Sequence, residues 1–282
     1  MSLLFCKLLS LIKTPKYIIR EYFHRRRVNS VQRRFVLDSR CVLVDECVGE
    51  LNENGIVILQ DYFGAEQMAR LSNAFDSVVV GKKCKHNPKA YVSDDFFVES
   101  SELLEVALDD HLLEMIFGYY GNDFGLARAS ACRLDPVPDV RKGSFRWHHD
   151  ARGRQLHVMV LVNDVPSNAQ GMTYLRKSHN TYYDHYRGIV KTCFDKEVVG
   201  NQGLSGEILE VFGGAGTVAI FDSNGLHSGN RNDSCRRDAL IYCYVSFKKK
   251  HFFPLTYRQE DVLSLKGAKK KVLTSNPKHI VV

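Results

Sequence analysis

The chain has 282 residues, 44% of them hydrophobic and 16 of them Phe, enough to bury a sizeable core and too apolar for a disordered chain. Its charge of +7 is unevenly spread: residues 1–34 carry nine Lys/Arg against the single acid Glu21, and that net +8 leaves −1 on the remaining 248 residues. No run reaches the roughly 18–20 apolar residues of a membrane span. The eight cysteines form no CxxC, so neither a zinc ribbon nor a small disulfide scaffold is suggested and the cytoplasm is the expected compartment.

Residues 1–40 read as a basic, partly apolar leader, helical and interrupted at Pro15. Its apolar stretch 3–12 is short, is broken by Lys7 and lacks a small-residue cleavage site, which makes it a poor signal peptide. Together with the basic stretch, residues 1–34 suit peripheral contact with an anionic inner membrane face. A solvated arm or a helix packed on the core is the alternative. Nucleic acid is not expected, because a basic arm alone lacks a base-reading or stacking module.

Residues 41–282 are expected to form a single domain. Its first strand is 56–59, a β-branched run beside Gly55. Met68, Leu71, Phe75, Val78 and Val79 recur at helical spacing, which predicts a helix over 65–79. Ser101 is placed to cap a second helix, with Glu102 and Glu105 in its first turn and Leu104, Leu108, Leu112 and Met115 on one face. From about 126 to 250 the pattern changes to short strands between turns, including 158–162, 217–221 and 239–247. Helices gathered before the strands, and not alternating with them, predict a mainly β fold with flanking helices around a jelly-roll core.

The chemistry begins at Trp147-His148-His149-Asp150. His148 and Asp150 are two residues apart, so on a strand both side chains leave one face. With the distant His227 they make two imidazoles and a carboxylate, a facial triad that holds Fe(II) with three positions open. Such a site takes O2 and a bidentate cosubstrate, expected to be 2-oxoglutarate, whose remote carboxylate is best met by an arginine. Arg237 shares a strand face with Ala239, Ile241, Cys243, Val245 and Phe247, an apolar set, whereas its rival Arg236 alternates with Asp238, Tyr242, Tyr244 and Ser246. Two other classes stay open: a non-catalytic jelly-roll binding protein, and a cupin-like metal enzyme such as a zinc hydrolase, in which Arg237 has no evident task.

Over residues 51–247 the chain resembles the phytanoyl-CoA dioxygenase-like family of Fe(II)/2-oxoglutarate oxygenases. The matching pieces are Asn54-Gly55-Ile56-Val57-Ile58-Leu59, Trp147 to Asp150, Gly171 through Ser178-His179, and Phe221-Asp222-Ser223-Asn224-Gly225-Leu226-His227-Ser228-Gly229, followed by Asn232, Ser234 and Arg237. The resemblance implies a double-stranded β-helix, iron on His148, Asp150 and His227, 2-oxoglutarate on Arg237 with a contact from Ser228, and ascorbate as a supporting reductant. Asp150 implies hydroxylation, since halogenating relatives lack this carboxylate. The chain departs from the family in two places. Arg237 is one residue closer to the histidine than is usual, and Arg176-Lys177-Ser178-His179 replaces Pro-Gly-Ser-His, which puts two cations near the expected cavity mouth. Arg152 and Arg176 are therefore candidates for binding a small-molecule or lipid-linked substrate, an acyl compound or saccharide. Arg133 and Arg154 read more simply as surface residues, His149 as an outward strand residue, and His157, His179 and His185 as non-ligands.

Overall fold

Helical spacing of apolar residues builds the first layer of the molecule. The computed structural model describes residues 42–85, 87, 89–121, 124–138, 143–150, 154–167, 169–180, 193–194, 207–246 and 252–282; the leader lies outside them. Its first elements are α1 (Val42–Asn54), β1 (Ile56–Leu59) and α2 (Ala65–Val79). Met68, Leu71, Phe75, Val78 and Val79 form the buried face of α2, as a period of 3.6 residues dictates. After β2 (Ala90–Asp94), the helix expected from residue 101 proves to be two, α3 (Ser101–Ala107) and α4 (Asp110–Tyr120). Asp109 makes the break: its carboxylate accepts from Leu112 N at 3.0 Å and caps a new helix. The cap of α3 is Ser100, one residue earlier than expected, with its hydroxyl accepting from Leu103 N at 3.4 Å.

The strands follow: β3 (Phe124–Leu134), β4 (Trp147–His148), β5 (Leu156–Leu161), β6 (Met172–Leu175), β7 (Cys193–Phe194), β8 (Ile208–Val211), β9 (Val218–Asp222), β10 (His227–Gly229) and β11 (Arg237–Ser246). The chain ends in β12 (Leu255–Tyr257), α5 (Gln259–Ser264), α6 (Gly267–Thr274) and β13 (His279–Val281). A larger antiparallel sheet runs β1-β9-β5-β11-β3-β2, and a smaller one runs β7-β4-β10-β6-β8. From β3 to β6 and again from β8 to β11 the chain passes between the two sheets, which is the double-stranded β-helix. No helix among the described residues is long and apolar enough to cross a membrane.

Both faces of the larger sheet are covered, so its strands are apolar on both sides. On β11, Leu240, Tyr242 and Tyr244 pack with the helices, while Ala239 packs with Met172, Tyr174 and Val211 of the smaller sheet. The Tyr242 and Tyr244 hydroxyls donate to Leu103 O (2.8 Å) and Ala107 O (2.6 Å), satisfying carbonyls of α3. Tyrosine on this face is a buried residue with a partner, and the polar look of the Arg236 side of β11 comes from that.

Candidate metal centre and its cavity

The smaller sheet sets the two histidines side by side. His227 on β10 pairs directly with His148 on β4, and their ring centroids are 4.2 Å apart. Each ring donates from Nδ1 to a carbonyl two residues back, Arg146 O for His148 (2.8 Å) and Gly225 O for His227 (2.9 Å). That fixes the tautomer and leaves both Nε2 lone pairs available to a cation. Asp150 is tied by its N–H to Ser223 O at 2.9 Å. Its Oδ1 lies 3.6 Å from His148 Nε2 and its Oδ2 3.9 Å from His227 Nε2. One ligand atom from each of the three falls within 4.8 Å of the other two, a spread that a cation with bonds of roughly 2.0–2.2 Å can span. The donor set of two imidazoles and a carboxylate fits Fe(II).

The turn that delivers His227 is built around two fully buried residues. Asp222 accepts from Tyr119 Oη (2.6 Å), Gln155 N (3.1 Å) and Asn224 N (2.9 Å). Tyr174 Oη donates to Asp222 O at 2.9 Å and passes so close to Gly225 that any Cβ there would overlap it. Ser178, from the Ser-His pair, accepts from Leu226 N at 2.8 Å and fixes the entry to β10. Gly225→Ala is therefore expected to destabilise the fold by about 1–3 kcal/mol, the usual range for overpacking. Tyr174→Phe, which removes the nearest atom, should recover part of that loss. Denaturation midpoints of the single and double variants check this; additive effects would contradict it.

Electrostatics suit the triad to a metal. Burial and the neighbouring His148 push the His227 pKa down to about 3, so its ring is neutral at neutral pH. Burial pushes the Asp150 carboxyl up, but the His227, His157 and His148 rings outweigh it and hold the group below its usual range.

The triad lines a cavity of about 290 Å³ between the sheets, whose wall also includes Arg237, Met159, Phe221 and Ile241. Arg237 is buried, its Nη1 donates to Gly171 O at 3.2 Å, and the Cys132 thiol lies beside it. Its Nε has no partner. Burial pushes the guanidinium's pKa down, with the adjacent Cys132 thiol opposing. Arg236 lies on the surface, 3.5 Å from Asp238. Ser228, one residue past His227, is on the opposite face of β10, with its hydroxyl 3.4 Å from Gly229 O, and is not in the cavity wall.

Arg176 is also outside the wall, paired with Glu50 (2.6 Å) and Glu207 (3.1 Å). Arg152 and His185 fall outside the described residues. Arg133 is held by Asp76 and Asp238, and Arg154 sits over the Tyr119 ring at 4.4 Å. His149 is buried, not outward. The cavity wall also holds two basic residues that the sequence does not mark as site residues: His157, whose Nε2 is 3.7 Å from Asp150 Oδ2, and Arg128. Each shares a strand face with another wall residue, His157 two before Met159 on β5 and Arg128 four before Cys132 on β3.

No family model matches this chain, and no curated protein does. Solved structures share its fold. EctD from S. alaskensis, with 2-oxoglutarate and 5-hydroxyectoine, aligns over 72% of this chain and 76% of its own at 18% identity and a TM-score of 0.59. HygX from Streptomyces hygroscopicus, with nickel and 2-oxoglutarate, aligns over 74% and 90% at 16% identity and a TM-score of 0.55. The non-heme alpha ketoglutarate dependent epimerase SnoN from nogalamycin biosynthesis aligns over 72% and 83% at 15% identity and a TM-score of 0.55.

Proposed function

We propose that the chain is an Fe(II)- and 2-oxoglutarate-dependent dioxygenase of the phytanoyl-CoA dioxygenase-like kind, a single domain over 41–282 that hydroxylates a small molecule. The observation that carries this reading is Arg237, a buried guanidinium with no acidic partner among the described residues, in the wall of the cavity that holds the triad. A buried cation without a counter-ion is costly, and the far carboxylate of 2-oxoglutarate supplies one. The fold's solved relatives with 2-oxoglutarate bound support the same assignment.

Iron held by His148, Asp150 and His227 would supply the oxidising chemistry, with one atom of O2 ending in the substrate's hydroxyl and the other in the succinate left when 2-oxoglutarate loses carbon dioxide. The chain's residues prepare that site. Arg146 O and Gly225 O hold the ligand rings in the tautomer that presents Nε2. Arg237 anchors and orients the cosubstrate, and Met159, Phe221 and Ile241 keep water from the space between. The leader, with its net +8, draws the protein to an anionic membrane face on the cytoplasmic side, where a lipid-linked substrate is within reach.

One experiment with two readouts tests both parts. The full chain and a version lacking residues 1–34 are incubated aerobically with Fe(II), 2-oxoglutarate and a metabolite extract, and succinate is followed; both are also sedimented with phosphatidylserine vesicles. Iron-dependent succinate from both, and salt-sensitive sedimentation of the full chain alone, are expected. Absence of iron-dependent succinate would sink the oxygenase reading. Equal sedimentation of the two would remove the membrane role.

A further inference from the structure

The cavity wall carries a second cation, far from the one assigned to the cosubstrate. Arg128 on β3 and His157 on β5 both pair with Cys243 of β11, and all three line the cavity. They form one cross-strand row, about 10 Å between its outer Cα atoms at roughly 4.8 Å per strand. The row ends beside the triad, since His157 Nε2 is 3.7 Å from Asp150 Oδ2. Arg237 lies six residues back along β11, about 20 Å away at roughly 3.4 Å per residue. A small dianion held by Arg237 at one end therefore leaves Arg128 to another ligand.

The Arg128 guanidinium is gripped from one side. Nη2 donates to both oxygens of Asp94 at 3.2 Å, Ser130 Oγ donates to the same carboxylate, and Cζ stands 5.3 Å from the Phe253 ring centroid. Nε and Nη1 have no hydrogen-bond partner among the described residues. The Arg128 and Asp94 side chains are 46% and 50% exposed, so solvent screens their pairing and it holds the guanidinium only weakly. Asp94 orients the fork without using up its donors. An arginine presented in this way at a cavity mouth matches a planar or tetrahedral oxyanion.

We propose that Arg128 determines substrate specificity by binding an oxyanion, carboxylate or phosphate, on the substrate. The carbon to be oxidised then lies toward His157 and Asp150, a few bonds from that charge. The cavity, about 290 Å³, is at the small end for ligand sites, so the substrate is a compact acid. This inference rests on the oxygenase reading.

The test uses the full chain loaded with Ni(II), an inert stand-in for iron, and 2-oxoglutarate. It is titrated calorimetrically with small straight-chain and cyclic carboxylic acids, their primary amides, and phosphate monoesters of matching size. Acids or phosphate esters are expected to bind tighter than the amides by about 10- to 100-fold, the range for hydrogen bonds to a charged group, and the better class names the oxyanion. Arg128→Gln should erase that preference and Arg128→Lys should keep part of it, with 2-oxoglutarate affinity retained in both as evidence of an intact site. Anions binding no better than amides, or an undiminished preference in Arg128→Gln, overturns the proposal. Failure of the Ni(II)-loaded wild type to bind 2-oxoglutarate is a separate result: it removes the oxygenase reading and this inference with it.

Discussion

Asp150→Ala is expected to lower Fe(II) affinity by at least on the order of 100-fold, because losing even an outer partner of a metal ligand costs 10- to 100-fold. Iron-dependent turnover of 2-oxoglutarate should fall to background. The carboxylate is the only anionic member of the set, and it stands 3.6 and 3.9 Å from the two ligand nitrogens. Without it, only two imidazoles remain on adjacent strands, one of them His227 with its ring kept neutral by burial and by His148. The fold should survive, since Asp150 contributes a backbone hydrogen bond to Ser223 that alanine retains. Metal titration by calorimetry and a thermal melt without metal separate the two effects. Unchanged metal affinity would mean that the ion sits elsewhere.

Arg237→Leu should weaken 2-oxoglutarate binding by about 2–4 kcal/mol, as for losing one partner of a desolvated charge pair, which is roughly 30- to 900-fold in Kd. Iron affinity should change little. The same substitution should raise the stability of the metal-free, ligand-free chain, because it removes a buried guanidinium whose Nε is unpaired and whose pKa burial pushes down. A purely structural Arg237 predicts the reverse, a loss of stability. Arg236→Leu, on the surface beside Asp238, should leave cosubstrate binding alone. If Arg236→Leu causes the loss and Arg237→Leu does not, the two roles are interchanged.

What could be read from the sequence follows from where one pattern has one explanation. The i, i+2 spacing of His148 and Asp150 brings both beside His227, although β4 ends at His148 and Asp150 reaches the site from just past the strand. The alternation of β11 separates Arg237 from Arg236. Alternation fails to say which face is the cavity when both faces are covered. On β3, Ala129 and Ala131 lie under the helices while Arg128, Ser130 and Cys132 face inward, and nothing in the composition ranks one face above the other. His157 is obscured in the same way on β5, between apolar neighbours on both sides. The two helices after residue 100 look like one in the sequence because Leu104, Leu108, Leu112 and Met115 keep helical spacing straight across the break. Asp109 carried the contrary signal, as a capping residue inside an otherwise continuous stripe. His149 is buried between two half-buried chain neighbours, His148 and Asp150, a placement that no local pattern reveals.

The central claim is that one cavity holds a metal and 2-oxoglutarate together, with the metal completing the cosubstrate's site. Anaerobic calorimetric titration of 2-oxoglutarate into the full chain, with and without Fe(II), measures this directly. The account predicts one-to-one binding that requires the metal, is abolished by a chelator and is weakened by Arg237→Leu. Equal affinity with and without Fe(II), or no binding to the iron-loaded chain, would contradict it.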